Sequence, residues 1–139
     1  MPQLDSYLFF DGTCAEAMRF YERTLGGKLQ MMMKNSEGPA GAGGPTGSAD
    51  KILHACVMID NRPLMASDWM SEEPFPGMGG FSLALNYPSV NEARRIFDAL
   101  ADGGRVNMPL DKTFWVEAFR MLVDRFGTPW MVSGGKQFT

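Results

Sequence analysis

Two halves of this chain repeat each other in order, and that repetition limits the fold more than any single motif does. Ala15 to Tyr21 (AEAMRFY) in the first half matches Asn91 to Phe97 (NEARRIF) in the second, and Gly26 to Met31 (GGKLQM) matches Gly103 to Met108 (GGRVNM). The closing segments match as well, Pro63, Met65 and Ser67 against Pro129, Met131 and Ser133, although these stand closer together along the chain than the earlier pairs do. The closer spacing reflects a Gly- and Pro-rich stretch, Glu37 to Asp50, present in the first half alone. Element type and turn residues agree through both halves, which chance matching of short apolar patterns does not produce.

Local patterns give each half the same plan. Ser6 to Phe10 is an aromatic-rich strand closed by Asp11-Gly12. Thr13 stands where a helix N-cap belongs, with Glu16 three residues on as in a capping box. Cys14, Ala17, Met18, Tyr21 and Leu25 then follow at helical spacing until Gly26-Gly27. Lys28 to Lys34 reads as a strand, and Glu37 to Asp50 as a mobile loop. Ile52 to Ile59 and Leu64 to Ser67 make a hairpin around Asp60 to Pro63. After a connection over Asp68 to Gly80, the order returns: a strand at Phe81 to Asn86, a helix with Val90, Ala93, Phe97 and Leu100 on its apolar face, and a strand at Arg105 to Leu110. Thr113 to Ser133 then supplies two strands about a turn at Asp124 to Gly127. The result is one α+β domain over residues 1–139, built from two βαβββ modules at about 4–68 and 80–134. A module with a helix on one face of its sheet leaves the other face open, so the expected architecture pairs the two into a curved mixed sheet around a cavity.

Composition removes several function classes. With 13 basic residues against 16 acidic ones, a net charge of −3 and no basic block, the chain has no electrostatic footprint for nucleic acid. No apolar run approaches the ~20 residues of a membrane helix, and MPQLDSYLFFDG lacks the basic start and long apolar stretch of a signal peptide. A cytoplasmic protein with no membrane partner is expected. Cys14 and Cys56 are too few for a disulfide framework and read as small buried hydrophobes. The Gly-rich loop lacks the Gly-Lys-Ser/Thr ending of a phosphate cradle.

Tyr7-Leu8-Phe9-Phe10-Asp11-Gly12, Ala17 to Gly27, Leu64 to Asp68, Met108-Pro109-Leu110, Thr113-Phe114-Trp115, Val123 to Gly127 and Pro129-Trp130-Met131 span nearly the whole chain. Together they resemble the glyoxalase/bleomycin-resistance/dioxygenase group, the vicinal oxygen chelate superfamily, and within it the PhnB-like branch also labelled demethylubiquinone methyltransferase-like. The resemblance implies that metal-dependent relatives hold a divalent ion with His, Glu or Gln from the first and last strands of each module. Matched by the repeat, those places fall here at Ser6 and Phe81 and at Met65 and Met131. Phe cannot ligate and thioethers are soft donors, so the resemblance argues against an ordinary metal site, and no cofactor is expected. Methyl transfer is disfavoured, because the chain has neither a glycine-rich cofactor fingerprint nor room for a second domain.

Two functional expectations follow. The first is a metal-free binding or sequestration module for a small apolar or aromatic molecule. Its ligand-binding residues are Ser6, Met65, Trp69, Phe81, Trp115 and Met131, and twelve methionines give an adaptable lining. The second is a lyase- or isomerase-type enzyme. There His54, the one histidine, acts as acid or base with Asp68 or Glu117 orienting it, with or without a divalent metal. If Leu53, Ala55, Val57 and Ile59 face the helices, then His54, Cys56 and Met58 face the cavity. Relatives in this superfamily commonly dimerise, and a homodimer is expected.

Overall fold

Both βαβββ modules form, in the order the repeat requires. The computed structural model describes residues 1–38, 49–111 and 116–137; Trp115 and most of the Glu37–Asp50 loop lie outside the described residues. The first module comprises β1 (Ser6–Phe10), α1 (Cys14–Leu25), β2 (Lys28–Lys34), β3 (Ile52–Ile59) and β4 (Arg62–Asp68). The second comprises β5 (Leu83–Tyr87), α2 (Val90–Ala101), β6 (Arg105–Asp111), β7 (Val116–Val123) and β8 (Pro129–Gln137). Each is a four-stranded mixed sheet, ordered β1-β4-β3-β2 or β5-β8-β7-β6. First and last strands of a module pair in parallel, and the other neighbours are antiparallel. The chain divides into two compact units, Met1–Pro76 and Gly77–Thr139. Among the described residues no helix is long and apolar enough to cross a membrane.

In each unit the helix covers one face of its own sheet. Cys14, Ala17, Met18 and Tyr21 of α1 are buried together with Leu8, Phe10, Ala55, Val57, Leu64 and Ala66. In the second unit Ala93, Phe97 and Leu100 are buried with Ala118, Leu122, Trp130 and Val132. Complete burial of one such large side chain contributes about 1.5–3 kcal/mol, so these two layers supply most of the drive to fold. The paired glycines of the repeat have a steric reason. A Cβ on Gly27 would meet the Met58 carbonyl oxygen at 2.8 Å, and one on Gly104 would collide with the Val123 carbonyl oxygen, so helix and hairpin can approach only through glycine.

Local capping differs between the halves. Ser89 caps α2, its Oγ accepting from the Glu92 amide at 3.1 Å. Thr13 does not cap α1 with its side chain: at ψ 13° it lies outside the extended region from which an N-cap hydroxyl reaches the first turn. The Cys14 amide instead donates to Asp68 Oδ1 at 3.0 Å, from the far end of β4. The second strand set also starts later than its apolar pattern suggests. Phe81 precedes β5, just after Gly80 at φ +75°, and the register puts Leu83 opposite Trp130 where Ser6 stands opposite Leu64. Leu83, not Phe81, is therefore the counterpart of Ser6.

The hairpins close by two different devices. Asp60 and Asn61, at φ 45° and 67°, form the left-handed pair that a tight two-residue turn between twisted strands needs. The β7–β8 turn is held by Asp124, which is 3% exposed. Its Oδ1 accepts from the Phe126 and Thr128 amides at 2.9 and 3.0 Å, and its Oδ2 accepts from Trp130 Nε1 at 2.8 Å. Hydrogen bonds to a buried charge are among the stronger ones, and deleting the acceptor removes three of them at once. Asp124→Ala is expected to lower the unfolding free energy by about 3 kcal/mol or more, with Asp124→Asn intermediate, as read by urea titration followed by circular dichroism. A loss below about 1 kcal/mol would show that the turn is held by something else.

Candidate functional site

Strand alternation divides each sheet into a helix-covered face and an opposite face. In β1, Leu8 and Phe10 are buried towards α1, while Tyr7 and Phe9 on the other side are 41% and 44% exposed. Residues directly opposite in neighbouring strands share a face, so the register assembles that side of the sheet. Tyr7 lies opposite Met65, Met65 opposite Cys56, and Cys56 opposite Met31. Phe9 lies opposite Ser67, and His54 opposite Met33.

The rings on this face touch in sequence. Tyr7 stacks on His54 with centroids 5.6 Å apart, and its hydroxyl is 3.0 Å from His54 Nδ1. Either the phenol donates to an Nδ1 lone pair and the ring proton sits on Nε2, or the imidazole donates to the phenol oxygen. Tyr7 also lies 5.3 Å from Phe9, Phe9 meets Trp69 edge-on at 5.7 Å, and Trp69 meets Phe75 at 5.9 Å. Trp69 is fixed from both ends. Its amide donates to the Phe10 carbonyl and its Nε1 donates to the Glu73 carbonyl, while Lys51 Nζ donates to the Trp69 carbonyl oxygen.

Among the residues expected at the site, Met65, Trp69 and His54 share this neighbourhood. Ser6 falls one residue short: it shares the face of Leu8 and Phe10, and Tyr7 takes the place expected for it. Met131 occupies the matching face of the second sheet, opposite Ala84 and Met121. Phe81 is 44% exposed ahead of β5, and Trp115 lies outside the described residues. Tyr7 is the residue that sequence reasoning missed, and only an exact register would have found it.

Asp68 does not serve His54 as expected. It is 3% exposed and follows Ala66 on the helix-covered side, opposite to the face of His54 and Cys56. Its two oxygens accept from the Cys14 and Ile52 amides at 3.0 and 2.8 Å, so it is a structural clamp that cannot orient the imidazole. Glu117 lies exposed on β7 of the second unit. Its Oε1 accepts from the Lys136 amide at 3.0 Å beside Gly135 at φ +87°, where the β7–β8 register shifts. It secures a bulge. Among the described residues no three His, Cys, Asp or Glu side chains converge as a metal site.

With this geometry in view, comparison with known proteins settles the family. A profile of the Glyoxalase/Bleomycin resistance protein/Dioxygenase superfamily matches residues 3–132. The chain belongs to this superfamily. It is 37% identical over 142 residues to protein YjdN of Escherichia coli, with 96% of each chain covered. The crystal structure of protein PA1353 from Pseudomonas aeruginosa is 43% identical and superposes with a TM-score of 0.89 over 97% of this chain and 98% of that one. The PhnB protein from Bacillus cereus, titled a putative 3-demethylubiquinone-9 3-methyltransferase, shares the fold at a TM-score of 0.80 and 23% identity, covering 96% of this chain and all of that one.

Met65 and Met131 occupy equivalent places on the last strands of the two modules and lie on the side of each sheet away from its helix. The two thiols differ in setting. Burial, and after it the Asp68 carboxylate, push the Cys14 thiol up to about 12. Burial and then the Asp5 carboxylate raise Cys56 as well. For Cys14 the sign is definite: above the ordinary thiol value of 9.0 the unfolded chain loses this proton while the folded chain keeps it until about 12. The contribution is intact below pH 9.0 and is lost as pH rises towards 12. Urea midpoints measured from about pH 8 to 10.5 should fall more steeply for the natural protein than for Cys14→Ala. Equal slopes would contradict the buried, carboxylate-facing thiol.

Proposed function

We propose that the protein is a metal-free small-molecule binding or sequestration module that takes a flat apolar or aromatic compound on the open face of its first sheet. The observation behind this reading is the run of touching rings from His54 through the exposed Tyr7 and Phe9 to Trp69, on the same side of the sheet as Met65. Apolar surface left in water costs roughly 25 cal/mol per Å², which a flat ligand covering Tyr7 and Phe9 would recover. Methionine conforms to varied shapes, and the Tyr7–His54 pair offers one polar anchor on an otherwise apolar wall. The protein acts as a homodimer, and sedimentation as a monomer at micromolar concentration would exclude it.

A second reading has one observation in its favour. A phenol hydrogen-bonded to an imidazole can hold and pass a proton, as a lyase- or isomerase-type enzyme using His54 as acid or base requires, with or without a divalent metal. Its orienting partner is then Tyr7.

The two readings separate in one set of measurements. A panel of planar aromatic compounds, tested by thermal shift and tryptophan fluorescence in the presence of a strong chelator, should give saturable binding. Trp69→Ala and Tyr7→Ala should each weaken it about tenfold, and Tyr7→Phe by less. No shift across a broad panel would count against binding. Stoichiometric nickel, zinc or manganese that disappears in His54→Ala would overturn the metal-free reading.

A further inference from the structure

The sulfur atoms on the open face of the first sheet are not scattered. Cys56, in the middle strand β3, lies directly opposite Met31 of β2 on one side and Met65 of β4 on the other. One lateral row thus holds three sulfur side chains on three adjacent strands. Directly opposed residues have Cβ atoms about 4.5–5.5 Å apart, and a methionine side chain turns about three bonds, so these sulfurs can close on a common point. The next row along the strands pairs His54 with Met33, adding an imidazole and a fourth sulfur. Met31 is 43% exposed, which leaves the row reachable from solvent.

We propose that Met31, Cys56 and Met65 form a binding site for a soft monovalent cation, copper(I), with Met33 and His54 of the neighbouring row as further donors. Thioether and thiolate are the ligands that copper(I) prefers. One thiolate balances one positive charge, and neutral thioethers complete the shell without adding more. When the ion binds, the Cys56 thiol gives up its proton to solvent and a copper–sulfur bond replaces the sulfur–hydrogen bond. No carboxylate stands in either row, so magnesium, manganese and calcium find no ligands of the kind they need. The Asp5 carboxylate, whose charge reaches Cys56, precedes β1 and lies outside both rows. Asp68 is turned to the helix side and held by two amides. The site shares Met65 and His54 with the face proposed for aromatic binding, a binding that itself needs no metal, and the three sulfurs are its defining donors.

The test is a competition under anaerobic, reducing conditions, with copper(I) supplied to the intact protein as its complex with a chromophoric copper(I) chelator. The protein should withdraw about one copper per chain, with X-ray absorption showing a sulfur-dominated shell containing more than one sulfur. The double variant Met31→Leu/Met65→Leu keeps side-chain volume and should remain folded by circular dichroism. It should bind copper at least about tenfold more weakly. Cys56→Ala should lose the copper, and Cys14→Ala should keep it. Silver(I), which needs no reductant, should raise the melting temperature of the natural protein and not of the folded double variant. Three results would overturn the proposal: no copper drawn from the chelator, equal affinity in the folded double variant, or zinc held as tightly as copper(I). Aromatic binding is judged separately by Trp69→Ala, which leaves Met31, Met33, His54, Cys56 and Met65 unchanged and should hold copper(I) as the natural protein does.

Discussion

One buried carboxylate ties together the start of α1, the start of β3 and the end of β4. Asp68 accepts from the Cys14 and Ile52 amides, and thereby fixes three segments that lie far apart in sequence. An anion at a helix N-terminus is favoured by the unpaired amides and the dipole there, and its charge is tolerated in the interior because both oxygens are engaged. The same charge, after burial itself, holds the Cys14 thiol protonated. The second unit divides this work between two residues. Ser89 caps α2, and Asp124 organises the last hairpin around Trp130. Both solutions press a helix onto one face of a sheet and leave the other face to chemistry.

That division gives the functional reading its physical basis. A side chain that points away from the helix is released from the packing that keeps the core in place, so Tyr7, Phe9, His54, Cys56 and Met65 are available for a ligand at little cost to the fold. They provide aromatic surface, soft sulfur and one hydrogen-bonded phenol–imidazole pair. The last strands of the two modules present Met65 and Met131 at equivalent places. Thioethers are soft donors, and with the rings beside Met65 they are the ground on which apolar recognition and soft-ion binding are proposed.

Much of the fold could be read directly, because its signals are local. Gly26-Gly27 and Gly103-Gly104 mark the helix ends, Asp60-Asn61 marks a turn, and the ordered match of Ala15 to Tyr21 with Asn91 to Phe97 shows two equivalent modules. What escaped was set by distance or by a single step of register. Thr13 has the residue type of a cap, yet the Cys14 amide is met by Asp68, which belongs to the last strand of the module. Ser6 and Tyr7 are neighbours, and alternation makes one of them core and the other site. Phe81 continues the apolar pattern into a segment that Gly80 keeps out of the strand. Asp68 has the charge of a catalytic partner, but charge does not reveal that backbone amides already occupy both its oxygens.

The central claim is that ligands meet the open face of the first sheet and not its helix-packed core. Methionine is placed to report on both sides, since Met31, Met33 and Met65 lie on the open face and Met18 is fully buried under α1. The most direct measurement is a nuclear magnetic resonance titration of protein labelled at the methionine methyl groups, with an aromatic ligand or silver(I) as the probe. Saturable shifts at Met31, Met33 and Met65, with Met18 staying in place, are the predicted result. Shifts confined to Met18, or none on the open face at saturating probe, would contradict it.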